Sequence, residues 1–289
     1  MSDLLIAATC SVLVSVLLRL VRRLQVDVGQ AIAWNYLVAC ACSLLAFRPE
    51  LAALRATPAA WPPLLGLGIL LPTIFLALAG SVRHAGIVRT EVAQRLSLLI
   101  SLLAAFVLFG ELPSVAKAAG MALGFAALAA LLARPASGAR APMATPNRVR
   151  WGFPALVFVG FGVIDVLFKR VVQTGVPLGT ALLAMFALAL VVSVLLQGWR
   201  LTCAQARLSA RSLAAGLALG LFNFANILFY LRAHQALLGR PALVFAGMNL
   251  GVIALGTLAG LGLFRERLSR MNQAGLALAL AAIALLARG

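Results

Sequence analysis

Apolar residues fall in ten stretches of roughly 17 to 25 positions, the length a helix needs to cross a hydrocarbon core. The stretches are approximately Leu4–Leu20, Val28–Phe47, Pro63–Val82, Val88–Phe109, Val115–Ala133, Phe153–Val171, Leu178–Leu196, Leu213–Leu231, Ala242–Phe264 and Leu268–Ala287. Polar and basic residues are confined mainly to the short breaks between them. The pattern predicts an all-α integral membrane protein of ten transmembrane helices. The first stretch is the shortest, and Arg19 near its end must snorkel or face protein. No basic residue precedes Leu4, so this stretch reads as a retained span and not a cleaved leader.

One break is long. Arg134 to Arg150 holds Pro135, Gly138, Pro142 and Pro146 with four Arg and no acidic residue, the composition of a linker. It divides the chain into residues 1–133 and 151–289, with five stretches on each side. An odd number of spans per repeat turns the second copy over, giving two inverted five-helix repeats. A short pattern supports the duplication. Phe109, Glu111, Ser114 and Gly120 recur 155 positions later as Phe264, Glu266, Ser269 and Gly275. Both copies read F-x-E-x-x-S-x(5)-G, and each sits between two apolar stretches, so each is a hairpin before the last helix of its half. The Glu is expected at the water surface, where a carboxylate costs little, and the Ser caps the next helix. The Gly falls about two turns into that helix, where a small residue lets a neighbouring backbone approach. Weaker matches pair Ser15 and Arg19 with Asp165 and Lys169, and Gln94 with Asn249.

Composition agrees with the membrane reading. Charged residues are 11% of the 289 and apolar residues 63%, with a mean hydropathy of +1.06; a soluble domain carries about 25% charged residues. The net charge of +17 does not imply nucleic acid, because the basic residues lie in ones to fours between apolar stretches and form no continuous stripe. Sixteen of the 24 Lys and Arg follow the odd-numbered spans, which places the linker in the cytoplasm and both termini outside. Cys10, Cys40, Cys42 and Cys203 have no His at ligand spacing and read as small packing residues. No metal site or cofactor motif is expected.

Ten spans, a five-plus-five duplication and paired Glu hairpins resemble the EamA-like branch of the drug/metabolite transporter superfamily. The resemblance covers nearly the whole chain, with Pro113 and a weaker basic flank as departures in the first hairpin. It implies a bacterial inner-membrane carrier that moves small metabolites, often outward, through a central cavity between the halves. It does not name the cargo.

Ionisable or amide side chains deep in a span face the bundle interior or a water-filled cavity, which marks the candidates for substrate contact. Asp165, in Gly160-Phe-Gly-Val-Ile-Asp165, reads as an amine ligand or proton carrier; the plainer reading is an ion pair with Lys169 one turn on. Glu91 and Gln94 open the fourth span with Arg95, either at a cavity mouth or as an ordinary solvated helix start. Asn249 is a ligand or interhelical glue. Asn223 and Asn226, among Phe222, Phe224, Phe229 and Tyr230, form a polar patch in an apolar wall or a packing contact. Asn35 sits between Trp34 and Tyr36, which lie too deep for belt aromatics. His84 and His234, each at the end of a span, read as interfacial.

The leading function is a secondary transporter of amino-acid-like or amphipathic solutes, an exporter working by alternating access, with a proton as one candidate coupling ion. No ATP-binding motif is present. A membrane enzyme calls for clustered acids, His or metal ligands, and the seven acidic residues do not cluster. A non-transporting receptor or assembly subunit needs no interior Asp. The expected partners are a small-molecule substrate and the bilayer, in a functional monomer.

Overall fold

The computed structural model describes residues 1–23, 26–85, 87–132, 147–203, 208–264 and 270–288, and these are almost entirely helical. In chain order the helices are α1 (Ser2–Arg23), α2 (Val28–Ala46), α3 (Leu51–Ala56), α4 (Trp61–Ala85), α5 (Ile87–Leu96), α6 (Leu98–Val107), α7 (Val115–Leu132), α8 (Asn147–Gln173), α9 (Leu178–Thr202), α10 (Ala210–Ala236), α11 (Pro241–Phe264) and α12 (Arg270–Arg288). Five described segments are long and apolar enough to cross a membrane: Val28–Ala46, Pro58–Ala85, Leu178–Thr202, Ala210–Ala236 and Pro241–Ala259. Ser2–Leu18, Val92–Val107, Val115–Ala127 and Gln273–Leu286 are shorter apolar helices.

Three boundaries differ from the sequence reading. The linker ends earlier than expected, because α8 already runs from Asn147. The fourth stretch is helical on both sides of a one-residue irregularity at Ser97, where the backbone keeps helical dihedrals and its N–H still donates to the Ala93 carbonyl at 3.2 Å; the Ser97 hydroxyl donates to the Gln94 carbonyl at 2.6 Å, a local bond that competes with the backbone ladder. The short α3 and the turn Pro58–Ala60 occupy the break between the second and third stretches, where hydropathy marks no helix.

The chain packs as two compact units that cut across the sequence halves. The first comprises Met1–Ala8, Ala77–Asp165 and Ala236–Gly289; the second comprises Thr9–Leu76 and Val166–Gln235. The first therefore takes the last two predicted spans of each half, and the second most of the first three.

In the first unit α7 and α12 pack along their length, and α11 lies against α6, α7 and α12. Gly120 makes the close approach expected of it: a Cβ there would stand 2.8 Å from the Leu286 side chain and 3.2 Å from its backbone nitrogen. Gly275 is buried on α12. The first hairpin closes α6 on Gly110, whose φ of 66° lets the Glu111 N–H return to the Ala105 carbonyl at 3.0 Å, a helix-terminating geometry that suits glycine. Ser114 then caps α7 by accepting the Lys117 N–H at 3.1 Å.

Glu111 is not at the water surface. It is only 6% exposed. Its Oε2 accepts the Ala242 N–H, in the first turn of α11, at 2.7 Å, and its Oε1 lies 3.2 Å from Lys117 Nζ. That second contact is an ion pair without hydrogen-bond alignment. The physical reason for burial is the N-terminus of α11: its exposed amides and positive dipole end attract a carboxylate, and Pro241 at the helix start leaves Ala242 as the amide to be satisfied. Glu266 and Ser269 of the second hairpin lie outside the described residues.

In the second unit α2 packs along α9. One end is held by a polar clasp. Asp27 caps α2 by accepting the Gln30 N–H at 2.9 Å and takes both arms of the Arg200 guanidinium at 2.9 and 2.8 Å. Its own N–H donates to Ser212 Oγ, and Gln30 Oε1 accepts the Ser209 N–H. A Cβ at Gly29 would collide with Arg200 Nη1. At Glu50, a single hydroxyl does comparable work: Thr180 Oγ1 accepts the Glu50 N–H at 3.1 Å. α2 also meets α10 backbone to backbone, since a Cβ at Gly216 would stand 2.7 Å from the Ala31 carbonyl and one at Gly220 would stand 2.7 Å from the Asn35 carbonyl.

Candidate functional site

In the first unit, α8 lies against α6 through Gly162, where a Cβ would stand 2.6 Å from the Ile100 Cβ. Asp165 is one turn further along that helix, and the close approach brings its carboxylate to α6. Ser101 Oγ donates to Asp165 Oδ2 at 2.8 Å. The same hydroxyl is 3.4 Å from the Ser97 carbonyl, at the irregularity between α5 and α6. The irregularity and the carboxylate are thus joined by one serine. Asp165 has further interactions within the protein. A carboxylate among apolar helices can hold a substrate amine or carry a proton, and either use requires it to be oriented, as Ser101 orients it here.

The other candidates of this unit are placed less centrally. Gln94 is half-buried, one residue before Arg95 and three before Ser97. Asn249 is half-buried on α11, and its Nδ2 donates to the Phe245 carbonyl of its own helix at 3.2 Å, so part of its amide is used locally. The Glu91 side chain lies outside the described residues.

Asn35, Asn223 and Asn226 belong to the second unit. Asn35 is 3% and Asn223 6% exposed, and Asn226 is half-buried. Tyr36, which the sequence left without a place, is fully buried. Its ring lies 6.3 Å from that of Phe186 on α9, and Phe186 in turn lies 6.3 Å from Phe224 on α10. Asn35 Oδ1, Tyr36 OH, Asn223 Nδ2 and Asn226 Oδ1 have no hydrogen-bond partner in the protein.

The second unit adds a feature to a histidine. His234 is fully buried in the protein, on α10, which runs to Ala236, beyond the expected end at Leu231. Its ring meets Tyr230 edge-on at 4.8 Å, and Tyr230 meets Phe168 at 5.8 Å. Lys169, next to Phe168 in the chain, is 1% exposed. Sequence reasoning treated Lys169 only as a neighbour of Asp165. The signal available was a lysine within an apolar stretch. His84 is half-buried and stacks on Phe153 at 5.4 Å. All four cysteines are free; Cys40 is buried and Cys203 exposed. Among the described residues no group of three or more His, Cys, Asp or Glu could hold a metal ion.

The comparisons with known proteins bear on the whole chain. An uncharacterized protein of Haemophilus influenzae is 40% identical over 288 residues, covering 98% of this chain and 96% of its own. A solved crystal structure, 21% identical, superposes over 99% of this chain and 97% of its own with a TM-score of 0.70, which shows a shared fold. The sequence profile of the EamA-like transporter family matches residues 3–133. The helical membrane architecture and this match agree with the expectation drawn from the paired hairpins: the chain belongs to the EamA-like transporter family, a family of membrane transporters of small solutes.

Proposed function

We propose that this chain is a secondary carrier that exports small solutes from a bacterial cytoplasm by alternating access, with Asp165 as its charged contact to cargo or to a coupling proton. The observation that carries the reading is the Asp165–Ser101 hydrogen bond: an acidic side chain within apolar helices, held by a hydroxyl of another helix. An ionisable side chain among apolar helices is the usual mark of a substrate or proton path. In this reading the ten apolar stretches are ten spans, arranged as two inverted repeats with the linker cytoplasmic and both termini outside. The carrier acts as a monomer. Gln94 and Asn249 are the amide candidates in the same unit as Asp165; Asn35, Asn223 and Asn226 are those of the other unit, taken by itself.

The test separates a site from a neutralised charge. If Asp165 only balances Lys169, the double variant Asp165→Asn, Lys169→Gln transports like wild type. The expected outcome is a variant that elutes as folded protein on size-exclusion chromatography yet loses counterflow in proteoliposomes, or loses its pH dependence. Wild-type rates and an unchanged pH profile in the double variant remove Asp165 from the site.

A further inference from the structure

One helix seam in the second unit carries polar groups that the protein does not satisfy. Gly220 of α10 abuts the Asn35 backbone carbonyl of α2. Asn223 follows Gly220 by three positions and Asn226 follows Asn223 by three, so each is the helical neighbour of the one before, drifting about 60° round α10 at each step over a rise of roughly 9 Å. Beside Asn35, Tyr36 turns to Phe186, whose ring connects to Phe224 next to Asn223. Asn35, Tyr36 and Asn223 are each more than nine-tenths buried, and each holds an atom without a protein partner, as does Asn226.

Such an arrangement is costly in an apolar bundle. A buried hydrogen-bonding atom without a partner costs about 1–3 kcal/mol, and apolar residues of similar shape would remove that cost. A sequence that keeps four such groups on one seam supplies them to something else. Their chemistry says what that is. The amides and the phenol are neutral; they can give and accept hydrogen bonds but cannot neutralise an ion. A carboxylate placed among them could accept from the Tyr36 hydroxyl and the Asn223 amide but would have nothing to give to the Asn35 and Asn226 side-chain carbonyl oxygens, whereas a primary amide or hydroxyl can serve both kinds.

We infer that Asn35, Tyr36, Asn223 and Asn226 form a recognition site for the uncharged hydrogen-bonding part of the solute, such as a primary amide or hydroxyl, with Tyr36 as a specificity residue. The inference rests on the transport reading for its biological use, and it stands on its own as a binding site.

Isosteric pairs that differ only in an amide against a carboxylate test it: nicotinamide against nicotinate, and lactamide against lactate. Each is added to the purified full-length protein while its thermal unfolding is followed, and each is used as a competitor in counterflow. The amide member is expected to stabilise the protein at concentrations at least about tenfold below its carboxylate isostere, because the carboxylate loses more hydration and leaves the Asn35 and Asn226 side-chain carbonyl oxygens without a donor. The variant Tyr36→Phe, Asn223→Leu is expected to melt no lower than wild type and to lose the preference. Equal or stronger action by the carboxylates, no effect of either amide on wild type, or a preference that survives in the folded variant overturns the inference; the last two outcomes leave these groups as internally hydrated packing residues. The wild-type comparison needs no variant, so a variant that does not fold leaves the test intact. Amide-dependent stabilisation that requires Tyr36, in a protein that transports no solute tried, removes the carrier reading and keeps the site. Transport of some solute with no amide preference does the reverse.

Discussion

The burial of Glu111 gives the sharpest quantitative expectation. Its side chain is 1% exposed and that of Lys117 10%, so neither charge is well solvated once the other is removed. Removing one partner of a buried pair costs about 3–5 kcal/mol. Glu111→Gln keeps a carbonyl oxygen for the Ala242 amide and loses only the charge, which places it near the lower end, about 3 kcal/mol. Glu111→Ala also orphans the Ala242 N–H, which adds about 1–3 kcal/mol. Lys117→Met leaves the carboxylate with the α11 amide and the helix dipole, so it costs less than Glu111→Ala. The second half of the chain suggests the rescue: 155 positions after Lys117 stands the uncharged Asn272, so the matching hairpin carries no lysine there. Glu111→Gln combined with Lys117→Met leaves no unpaired charge and is expected within about 1 kcal/mol of wild type, a coupling energy in the cycle of at least about 2 kcal/mol, larger by whatever Lys117→Met costs alone. The assay is the midpoint of unfolding by SDS in mixed micelles, with transport of the folded fraction as a second readout. All four proteins, where folded, keep the same cargo preference. Strict additivity of the two single variants would refute the buried pair, and a changed cargo preference in Glu111→Gln would refute its purely structural role.

Arg200→Lys loses the two-armed contact with Asp27 and is expected to destabilise by about 1 kcal/mol in the same micelle assay, the scale of a largely solvated pair. Burial alone pushes the Asp27 carboxyl up, but hydrogen bonds from Arg200, its charge, and the Gln30 and Gly29 amides together hold it below its ordinary value near 3.8. The clasp therefore contributes in full above that value and is lost as pH falls through the folded one, so the Arg200→Lys difference should vanish in acid and persist at neutral pH; a difference that grows in acid contradicts the pairing. Gly220→Val pushes a branched side chain into the Asn35 carbonyl, and because backbone cannot give way as a side-chain tip can, folded yield should fall sharply while Gly239→Val, with open space at its Cβ, leaves it unchanged. A topology reporter after Gly289 is expected on the outer face and one inserted within residues 136–146 in the cytoplasm; a cytoplasmic C-terminus would show that the basic-residue bias does not set orientation here.

Hydropathy was enough to mark an all-helical membrane chain, and five of the described segments are long and apolar enough to cross a membrane. It was not enough to see the irregularity at Ser97: serine is tolerated inside an apolar stretch, and only its bond to the Gln94 carbonyl marks the place. The hairpin motif was legible as Ser114 capping α7 and Gly120 admitting a neighbour. The fate of Glu111 was not, since its partner is an amide 131 positions away. The burial of His234 was not legible, because the apolar stretch ends at Leu231 while the helix continues to Ala236. Buried amides were legible as candidates because an Asn in an apolar stretch is conspicuous. That Tyr36 joins them depends on the rings of Phe186 and Phe224, which no local pattern shows.

The two compact units impose an order on biogenesis. The ribosome delivers the first half complete before the second exists, yet Asp27 must wait for Arg200, 173 positions later, and for Ser212, 185 positions later. At typical elongation rates of about 5–20 residues per second, that wait is roughly 10 to 30 s. During it the first-half helices sit in the bilayer with their glycine-permitted contact faces and half of the clasp unsatisfied, covered by lipid, water or insertion machinery. Folding is then less a matter of completing one half and adding another than of exchanging provisional neighbours for permanent ones. A stall before residue 200 should leave helices that are inserted but not yet packed, and it is this species, not the finished protein, that quality-control proteases would meet.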